Sequence, residues 1–468
     1  MATAIVGGGV LGLTLAWRLS ALGVRVDVIE AQPFVGGLAA PRDYGEFRWD
    51  RFYHCLLPSD AHLIGLVKEL GLGDELRWTA ARTGYFGGGR FHEMTGGRDY
   101  LRFPLLSFLQ KARLGAALAW ATRFADPAAL YEVSAADWLT RLCGRRTFEI
   151  FWQPLLRAKF GVFHDRVAAV FLWATLQRLW KPPAAGQKRG TLGYVRGGYD
   201  AILGRIQAQL VARGVRFELG ASIERIGLSA AAAGTGAPPR ATVDLALADG
   251  RRDARSYDQV LFTAPAGEAR RLTDETLRPE VERFTAEHPA AATYLGVVCT
   301  VLVLARPLTP YYVVNLADER VELTGLIEMT NLIDAPSQSA GRSLVYLPRY
   351  CDSADPVFGE RDATIVESAL DRGVRRLFPD LRDDAIVGRF VHRARHVQAL
   401  PTVRPAPRGE AVPPLSRPFQ IVNSALLNAA TLNNDEIVGL ADAFVAKNAA
   451  GLAAAASGAR APAPLSGP

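Results

Sequence analysis

The opening residues contain a glycine pattern that restricts the fold of this chain more than any other feature. Residues 4–6 form a short apolar run, and glycines follow at Gly7, Gly9 and Gly12 in the spacing Gly-x-Gly-x-x-Gly. Between a buried strand and a helix, the first glycine allows a tight turn and the second lets backbone approach a pyrophosphate. The third lets the helix pack close to the strand. The pattern therefore predicts a dinucleotide-binding α/β unit.

The residues after the glycines complete this unit. A helix is predicted over residues 10–22 and a second strand over residues 24–30, with Glu30 at its end. An acid about 20 residues beyond the glycines accepts a hydrogen bond from a ribose hydroxyl, and the helix N-terminus attracts the pyrophosphate. An ordinary turn is the alternative, and the complete set of strand, helix, strand and acid argues against it. The residues predicted to bind the dinucleotide here are Gly7, Gly9, Val10, Leu11, Gly12, Glu30 and Ala31.

A second glycine pair follows in the run Gly36-Gly37-Leu38-Ala39. Together with the acid at the end of the second strand, it resembles the signature of the flavin amine oxidase superfamily. This superfamily includes protoporphyrinogen oxidases, phytoene-type desaturases and monoamine oxidases. The resemblance implies that these four residues contact FAD, because glycine lets backbone amides press against phosphates or the flavin edge. Many members carry Arg at the position of Leu38, so this chain is more similar to the desaturase-like branches. A nicotinamide dinucleotide is the lesser alternative.

The resemblance implies an α/β fold in which a Rossmann-like, doubly wound, GR2-type FAD-binding domain is interleaved with a substrate domain. Helical periodicity dominates residues 61–189, and apolar runs predict strands within residues 271–395. These two segments are expected to build the substrate domain. The tail at 449–468 lacks apolar periodicity and is predicted to be flexible. The FAD-binding domain is expected to comprise residues 1–60, 190–270 and 396–448.

Composition restricts the other classes of function. The 468 residues are enough for two packed domains with a large core. The net charge is +7, but the arginines are spread along the chain, which argues against nucleic-acid binding. The four cysteines lack metal-ligand spacing, so no metal site is predicted and a reducing compartment is expected. Without a secretory signal or a long apolar run, a cytoplasmic location is expected.

Two residues are candidates for catalysis through the resemblance. The segment after the second glycine pair is expected to pass the flavin and to reach the substrate side at His54. This histidine would bind substrate or carry a proton near neutral pH, or simply pack around the cofactor. Lys159 occupies a segment that recurs in this branch, where a cation stabilises the negative charge that develops on the flavin during reduction. A surface lysine at a helix end is the alternative.

The predicted strands of the substrate domain supply candidates for substrate contact. Glu328 would provide a counter-charge or a base in the pocket. Exposure along the edge of a sheet is an equally supported alternative. The candidates are Tyr312, Glu328 and Asn331.

Later segments are expected to return to the cofactor. By resemblance, Ile223 lies beside the adenine, and Thr263 begins a Thr-Ala-Pro turn beside the dinucleotide. Many members have Gly-Asp in the C-terminal strand, and its acid binds the ribityl chain, whereas this chain has Asn423 followed by Ser and Ala. Asn423, Leu432 and Asn433 are expected at the flavin, with the N-terminus of the final helix facing its O2. The departure leaves the details of electron transfer open.

Three functional hypotheses follow. The first is an FAD-dependent oxidoreductase that takes hydride from a carbon of a small-molecule substrate onto flavin N5, making a C=C or C=N bond. The second is a redox-neutral flavoenzyme, such as a sugar-nucleotide mutase or a carotenoid isomerase. The third is a non-catalytic flavin-binding protein, retained because the acid of the ribityl strand is missing. The substrate, the electron acceptor and the oligomeric state stay open.

One helical stretch adds an expectation about the substrate and its surroundings. Its apolar residues would form a hydrophobic entrance to the substrate site, suited to an isoprenoid-like or porphyrin-like molecule. Its basic residues suit peripheral contact with a membrane. An amphipathic core helix is the favoured alternative. The apolar residues are Phe103, Leu106, Phe108, Leu109, Trp120 and Phe124, and the basic ones are Arg102, Lys111, Arg113 and Arg123.

Overall fold

The structure is a computed structural model that describes residues 1–180, 190–229, 239–406, 412–415, 418–427 and 433–456. Its strands are β1 (Ala2–Val6), β2 (Arg25–Glu30), β3 (Pro41–Asp43), β4 (Arg48–Asp50), β5 (Leu76–Ala80), β6 (Thr83–Gly87), β7 (Arg90–Glu93), β8 (Thr191–Val195), β9 (Arg216–Leu219), β10 (Ser222–Leu228), β11 (Ala241–Ala246), β12 (Arg252–Tyr257), β13 (Gln259–Phe262), β14 (Tyr294–Leu304), β15 (Val313–Leu316), β16 (Gly325–Glu328), β17 (Ser343–Asp352), β18 (Ile386–Ala399) and β19 (Phe419–Ile421). Its α-helices are α1 (Val10–Ala21), α2 (Ala61–Glu69), α3 (Gly97–Arg102), α4 (Phe108–Phe124), α5 (Ala135–Cys143), α6 (Arg145–Thr147), α7 (Gln153–Phe160), α8 (Ala169–Trp180), α9 (Gly198–Ala212), α10 (Ala266–Leu272), α11 (Arg278–Glu287), α12 (Ala335–Gln338), α13 (Asp362–Ala369), α14 (Arg375–Leu377) and α15 (Asn434–Ala456).

Five strands form a parallel sheet in the order β19, β13, β1, β2, β9. Ile5 of β1 lies opposite Leu261 of β13 on one side and Val28 of β2 on the other. All three side chains are fully buried, as expected where helices cover a parallel sheet. The chain leaves β1 toward β2 on one side, while β13 flanks it on the other. Ligands bind at such a switch point, outside the carboxyl ends of the strands.

A mixed sheet of seven strands forms the second part of the fold, in the order β18, β14, β17, β16, β15, β6, β7. Every residue of β14 is buried, because β17 and β18 pair with it on both sides. The sequence predicted strands in this region but not β18, in which charged residues interrupt the apolar ones. Three short strands, β10, β11 and β12, make a separate antiparallel sheet.

Helices α3 to α8 cover the mixed sheet and share a buried core with it. The segment at 61–189, in which helical periodicity dominates, also contains β5, β6 and β7, and two of these strands extend the mixed sheet. A π-helical turn at Phe148–Trp152 leads directly into α7. Such turns frequently occur at functional sites.

The final helix packs on the glycine-loop side of the molecule. α15 contacts α1 and α2 and runs to Ala456, so this helix extends into the segment at 449–468 that was predicted to be flexible. Among the described residues, no helix combines the length and the apolar character needed to cross a bilayer. The predicted α/β fold class, with a Rossmann-like parallel sheet and a second mixed sheet, is confirmed.

Candidate active site

The glycine turn after β1 is fixed by contacts to the end of β2. Gly7 N donates to the Ile29 carbonyl at 2.9 Å, and Glu30 Oε2 accepts a hydrogen bond from Gly8 N at 2.7 Å. α1 begins at Val10, and no side chain caps its N-terminus. The turn therefore presents backbone amides and the positive end of a helix, which together attract a pyrophosphate.

The remaining glycines allow close approaches between the two loops. A Cβ on Gly12 would collide with the carbonyl oxygen of the first glycine, whereas a Cβ on Gly9 would meet open space. Gly36 N donates to the Gly8 carbonyl at 2.8 Å, and its φ of 115° lies in the left-handed region that favours glycine. A Cβ on Gly37 would stand 3.3 Å from the Gly9 Cα. The second glycine pair is therefore packed against the first.

A cavity of about 750 Å³ connects these loops with the helical layer. Its walls come from the glycine loops, the segment after β4, helices α7 and α8, and strands β14, β17 and β18. Much of the predicted site is thereby brought together. The predicted residues that line the cavity are Gly7, Gly9, Val10, Leu11, Gly36, Gly37, Leu38, Ala39, His54, Lys159, Thr263, Asn423 and Asn433.

His54 lies beside a buried carboxylate. Its Nδ1 lies 3.4 Å from Asp50 Oδ2, and its ring packs against Tyr199 with centroids 4.7 Å apart. Asp50 Oδ1 accepts from Tyr199 N at 2.9 Å, and the Tyr199 hydroxyl accepts from Asn434 Nδ2 at 2.7 Å. These contacts place an imidazole at the cavity wall with Asp50 behind it, an arrangement that holds or moves a proton.

Lys159 of α7 places a cation on the helical wall of the cavity. Its Nζ lies 4.4 Å from the centroid of the Tyr350 ring, within the range of a cation–π contact. The hydroxyls of Tyr350 and Tyr53 are 3.1 Å apart. Burial raises the pKa of Tyr53 well above its usual range, so this hydroxyl stays protonated. Among the described residues, no carboxylate lies within ion-pair distance of Lys159.

The rest of the lining is mostly apolar. Its charged or titratable groups include Arg178 and His396. Arg178 forms a bidentate ion pair with the buried Asp60. No Asp or Glu occurs among the described residues that line the cavity. The apolar lining residues from the helices and the mixed sheet are Trp152, Leu155, Leu156, Phe160, Phe171, Leu172, Leu179, Val297 and Val397.

The C-terminal candidates line the cavity, but their side chains also fix the local backbone. Asn423 Nδ2 donates to the Ala264 carbonyl at 2.9 Å, and its Oδ1 accepts from Ala425 N at 3.0 Å. Asn433 Oδ1 accepts from Glu436 N at 2.9 Å and so caps α15. The predicted contact of Asn423 with a ribityl hydroxyl thus competes with two internal hydrogen bonds. Leu432 lies outside the described residues.

The substrate candidates Tyr312, Glu328 and Asn331 lie outside the described lining of this cavity. Glu328 is fully buried and accepts hydrogen bonds from the amides of residues 308 and 309 and from the hydroxyls of Thr309 and Ser343. Burial raises its pKa. Asn331 Nδ2 donates to two backbone carbonyls of the same loop, and Tyr312 is buried. Glu328 and Asn331 thus hold the loop before β15, and a contact of the three residues with substrate stays a prediction.

Two further candidates lie outside the cavity lining. Ile223 of β10 packs against the core of the FAD-binding side, and Ala31 is exposed after β2. Gly12 and Glu30 also stand behind the lining, where they shape the glycine turn. Among the predicted residues, those near the two glycine motifs are therefore the ones that lie closest together around the cavity.

Sequence reasoning missed part of the site. Tyr199, Tyr350 and Arg178 were not candidates, although all three contact predicted residues or line the cavity. For Tyr350 a signal existed, because Tyr346 and Tyr350 lie four residues apart on one face of a strand. Arg178 offered no such signal, since its position depends on how α8 packs against the loop that precedes α2.

Residues 12–426 match the family of flavin containing amine oxidoreductases. The chain belongs to this family. Membership confirms the superfamily predicted from the glycine motifs, the enzyme class of FAD-dependent oxidoreductases, and FAD as the cofactor. The residues fit this cofactor: space is open at Gly9, α1 begins without a capping side chain, and the Glu30 carboxylate stands at the turn.

This protein is similar to several known proteins, but at low sequence identity. It is 24% identical over 175 residues to coproporphyrinogen III oxidase of Propionibacterium freudenreichii subsp. freudenreichii, covering 35% of this chain and 32% of that protein. The match thus spans about a third of the length of that curated relative.

Two crystal structures illustrate the shared fold. A protein of Exiguobacterium sp. 255-15, provisionally assigned as a protoporphyrinogen oxidase, superposes with a TM-score of 0.68 and 16% identity, over 95% of this chain and 98% of that one. Reduced UDP-galactopyranose mutase superposes with a TM-score of 0.63 and 17% identity, over 86% of this chain and 84% of that one. At these identities the likeness shows the fold.

Proposed function

We propose that the protein removes hydride from a carbon of a largely apolar small molecule and so makes a C=C or C=N bond. The observation that carries this proposal is the single cavity that joins the glycine loops to an apolar helical wall. FAD, when bound at the glycine loops, supplies the hydride acceptor. The apolar side chains of α7 and α8 exclude water and orient the substrate against the cofactor side of the cavity.

The proposed catalytic residues are Lys159 and His54, which both line the cavity. Lys159 holds a positive charge where negative charge develops during substrate oxidation, and the Tyr350 ring positions its ammonium. His54, backed by Asp50, accepts or returns a proton at its ring nitrogen. Leu38, Thr263, Asn423 and Asn433 remain proposed cofactor contacts, as do the glycines.

The charge of the cavity supports a neutral or anionic substrate. Its described lining includes Lys159, Arg178 and two histidines but no carboxylate to pair with a cation. A protonated amine would therefore enter without a counter-ion, which is costly in an apolar site. This observation favours oxidation between carbons, or of an uncharged C–N bond.

We also propose a cytoplasmic location with peripheral contact to the inner face of the membrane. All four cysteines are free, which suits a reducing compartment. The exposed surface of α4 combines large apolar side chains with arginines, which suits an anionic lipid surface.

The test starts with the absorbance spectrum of the purified protein, followed by an anaerobic screen for compounds that bleach the flavin band. Bleaching by an apolar neutral or anionic compound, with release of a more unsaturated product, supports the proposal. Turnover by pre-reduced enzyme without net flavin oxidation would instead indicate a redox-neutral mutase or isomerase. A colourless protein with no thermal shift on FAD addition would contradict both and favour a non-catalytic role.

A further inference from the structure

The solvent-facing side of α4 has an unusual composition. Phe108, Leu109 and Phe124 are 76%, 78% and 70% exposed, and Trp120 is 47% exposed. At 3.6 residues per turn, the exposed positions of this helix fall on one continuous side. We call this side the α4 face, and it consists of Phe108, Leu109, Ala112, Arg113, Ala116, Trp120, Arg123 and Phe124.

This face is not the outer side of an ordinary amphipathic core helix. In α4 only Leu114 and Ala121 are buried, and the largest apolar side chains point to solvent. Phe103 and Leu106, in contrast, are buried in the core and form no part of the surface. Large exposed apolar patches on a folded protein mark surfaces that contact a partner or a membrane.

The charge around the α4 face has one sign. Residues 97–124 contain five basic side chains and one acid, Asp99, and α4 itself has no Asp or Glu. Lys111 Nζ donates to the Leu101 carbonyl at 2.7 Å, which keeps the exposed Leu101 beside the face. Aromatic and aliphatic side chains mixed with Lys and Arg suit the interface of a bilayer with anionic lipids.

Helix α8 connects the cavity with α4. Leu179 of α8 lines the cavity and is 60% exposed. Two residues earlier, Gln177 Nε2 donates to the Thr122 carbonyl of α4 at 2.7 Å. α8, which lines the cavity, is thereby joined to the C-terminal part of α4.

We propose that the α4 face docks on a bilayer that contains anionic lipids, and that an apolar substrate passes from this bilayer into the cavity at Leu179. The substrate part rests on the proposed oxidation, and the docking part specifies the surface that makes the proposed membrane contact. A second copy of the chain is the less suitable occupant. A two-fold interface would place the arginines of one α4 face against those of the other.

Docking is tested by flotation of the FAD-bound protein with vesicles of phosphatidylcholine alone or with 30% phosphatidylglycerol. We expect binding to the anionic vesicles, weakened about tenfold or more when Phe108→Ser, Leu109→Ser and Phe124→Ser are combined. Arg102→Gln with Arg123→Gln should weaken it about twentyfold, and added salt should weaken it further. Exposed valines far from this face provide the controls Val211→Ser and Val387→Ser, which should bind like the unchanged protein.

The position of the mouth is tested with an environment-sensitive fluorophore on Leu179→Cys, compared with Val211→Cys. The native cysteines are buried or partly buried, which favours labelling at the added site. A blue shift on addition of anionic vesicles is expected at 179 and not at 211. Binding without a shift at 179 would overturn delivery from the bilayer.

Other outcomes separate the proposals. Absence of vesicle binding would overturn docking, and a dimer that the triple serine variant converts to monomer would assign the α4 face to a second copy. A protein that binds vesicles and shifts the probe, but whose flavin no compound reduces, would refute the proposed function while leaving docking intact.

Discussion

Glu30 Oε2 accepts a hydrogen bond from the Gly8 amide at 2.7 Å, which ties the end of β2 to the glycine turn after β1. The other carboxylate oxygen accepts from Gln32 N at 2.8 Å. A carboxylate has about four acceptor sites, so Glu30 retains capacity for a ribose hydroxyl. One side chain thus shapes the cofactor loop and offers a contact to the cofactor.

Glu30→Gln should weaken FAD binding about ten- to hundredfold. The amide accepts a weaker hydrogen bond than the carboxylate and directs a donor at backbone amides. Titration of the apoprotein, followed by quenching of flavin fluorescence, measures the change. Glu282→Gln, an exposed substitution on α11, is the matched control. Equal affinity in the two variants would remove Glu30 from the cofactor site.

Gly12→Ala and Gly9→Ala should separate folding from cofactor binding. At Gly12 the added methyl collides with a backbone carbonyl, so we expect the apoprotein to lose roughly 1–3 kcal/mol of unfolding free energy. At Gly9 the methyl enters open space at the cavity, so the apoprotein should keep its stability and lose FAD affinity. Thermal unfolding with and without FAD distinguishes the two. The proposed roles fail if Gly9→Ala is the less stable variant without FAD.

Lys159→Met should lower the midpoint potential of the bound flavin by tens of millivolts, at about 30 mV per 1.4 kcal/mol. The cause is the loss of an ammonium that stabilises negative charge in the cavity. Flavin reduction should slow roughly tenfold, whereas Lys159→Arg should keep most of both properties. Tyr350→Phe keeps the ring beneath the cation and serves as a control. An unchanged potential in Lys159→Met would assign the lysine to the surface instead.

Stability should fall in mild acid because of His392. Burial, followed by repulsion from Arg51 and Arg42, lowers the pKa of this histidine from 6.5 to about 4. The unfolded chain binds the proton more readily than the folded one. The stabilising contribution is therefore complete above about pH 6.5 and is lost as the pH falls toward 4, by up to about 3 kcal/mol.

Urea unfolding between about pH 5 and 8 checks this expectation. Substitution His392→Gln removes the titrating ring and should flatten the decline, at the cost of the contact between His392 Nε2 and the Tyr44 hydroxyl. A decline of equal slope in the variant would assign the acid sensitivity to other groups.

Local sequence was sufficient where neighbouring residues make the contacts. The strand, glycine turn and helix at the N-terminus were predicted closely, because the turn requires glycine at fixed positions and Gly12 packs against backbone only five residues away. The second glycine pair was predicted for the same reason. Its close packing leaves no room for a Cβ at Gly36.

The far wall of the cavity depended on long-range packing. Glu328 has the chemistry of a base, but the fold buries it as an acceptor for four donors from Leu308, Thr309 and Ser343. Lys159 and Tyr350, nearly two hundred residues apart, meet only because α7 packs against β17.

The sequence by itself predicted the dinucleotide unit from short-range steric rules on glycine and one acid, and its resemblance to a known family indicated the flavin. Only the tertiary structure decided which polar side chains face the cavity and which face of α4 meets solvent. Burial is set by the packing of distant elements, and residue type alone does not specify it.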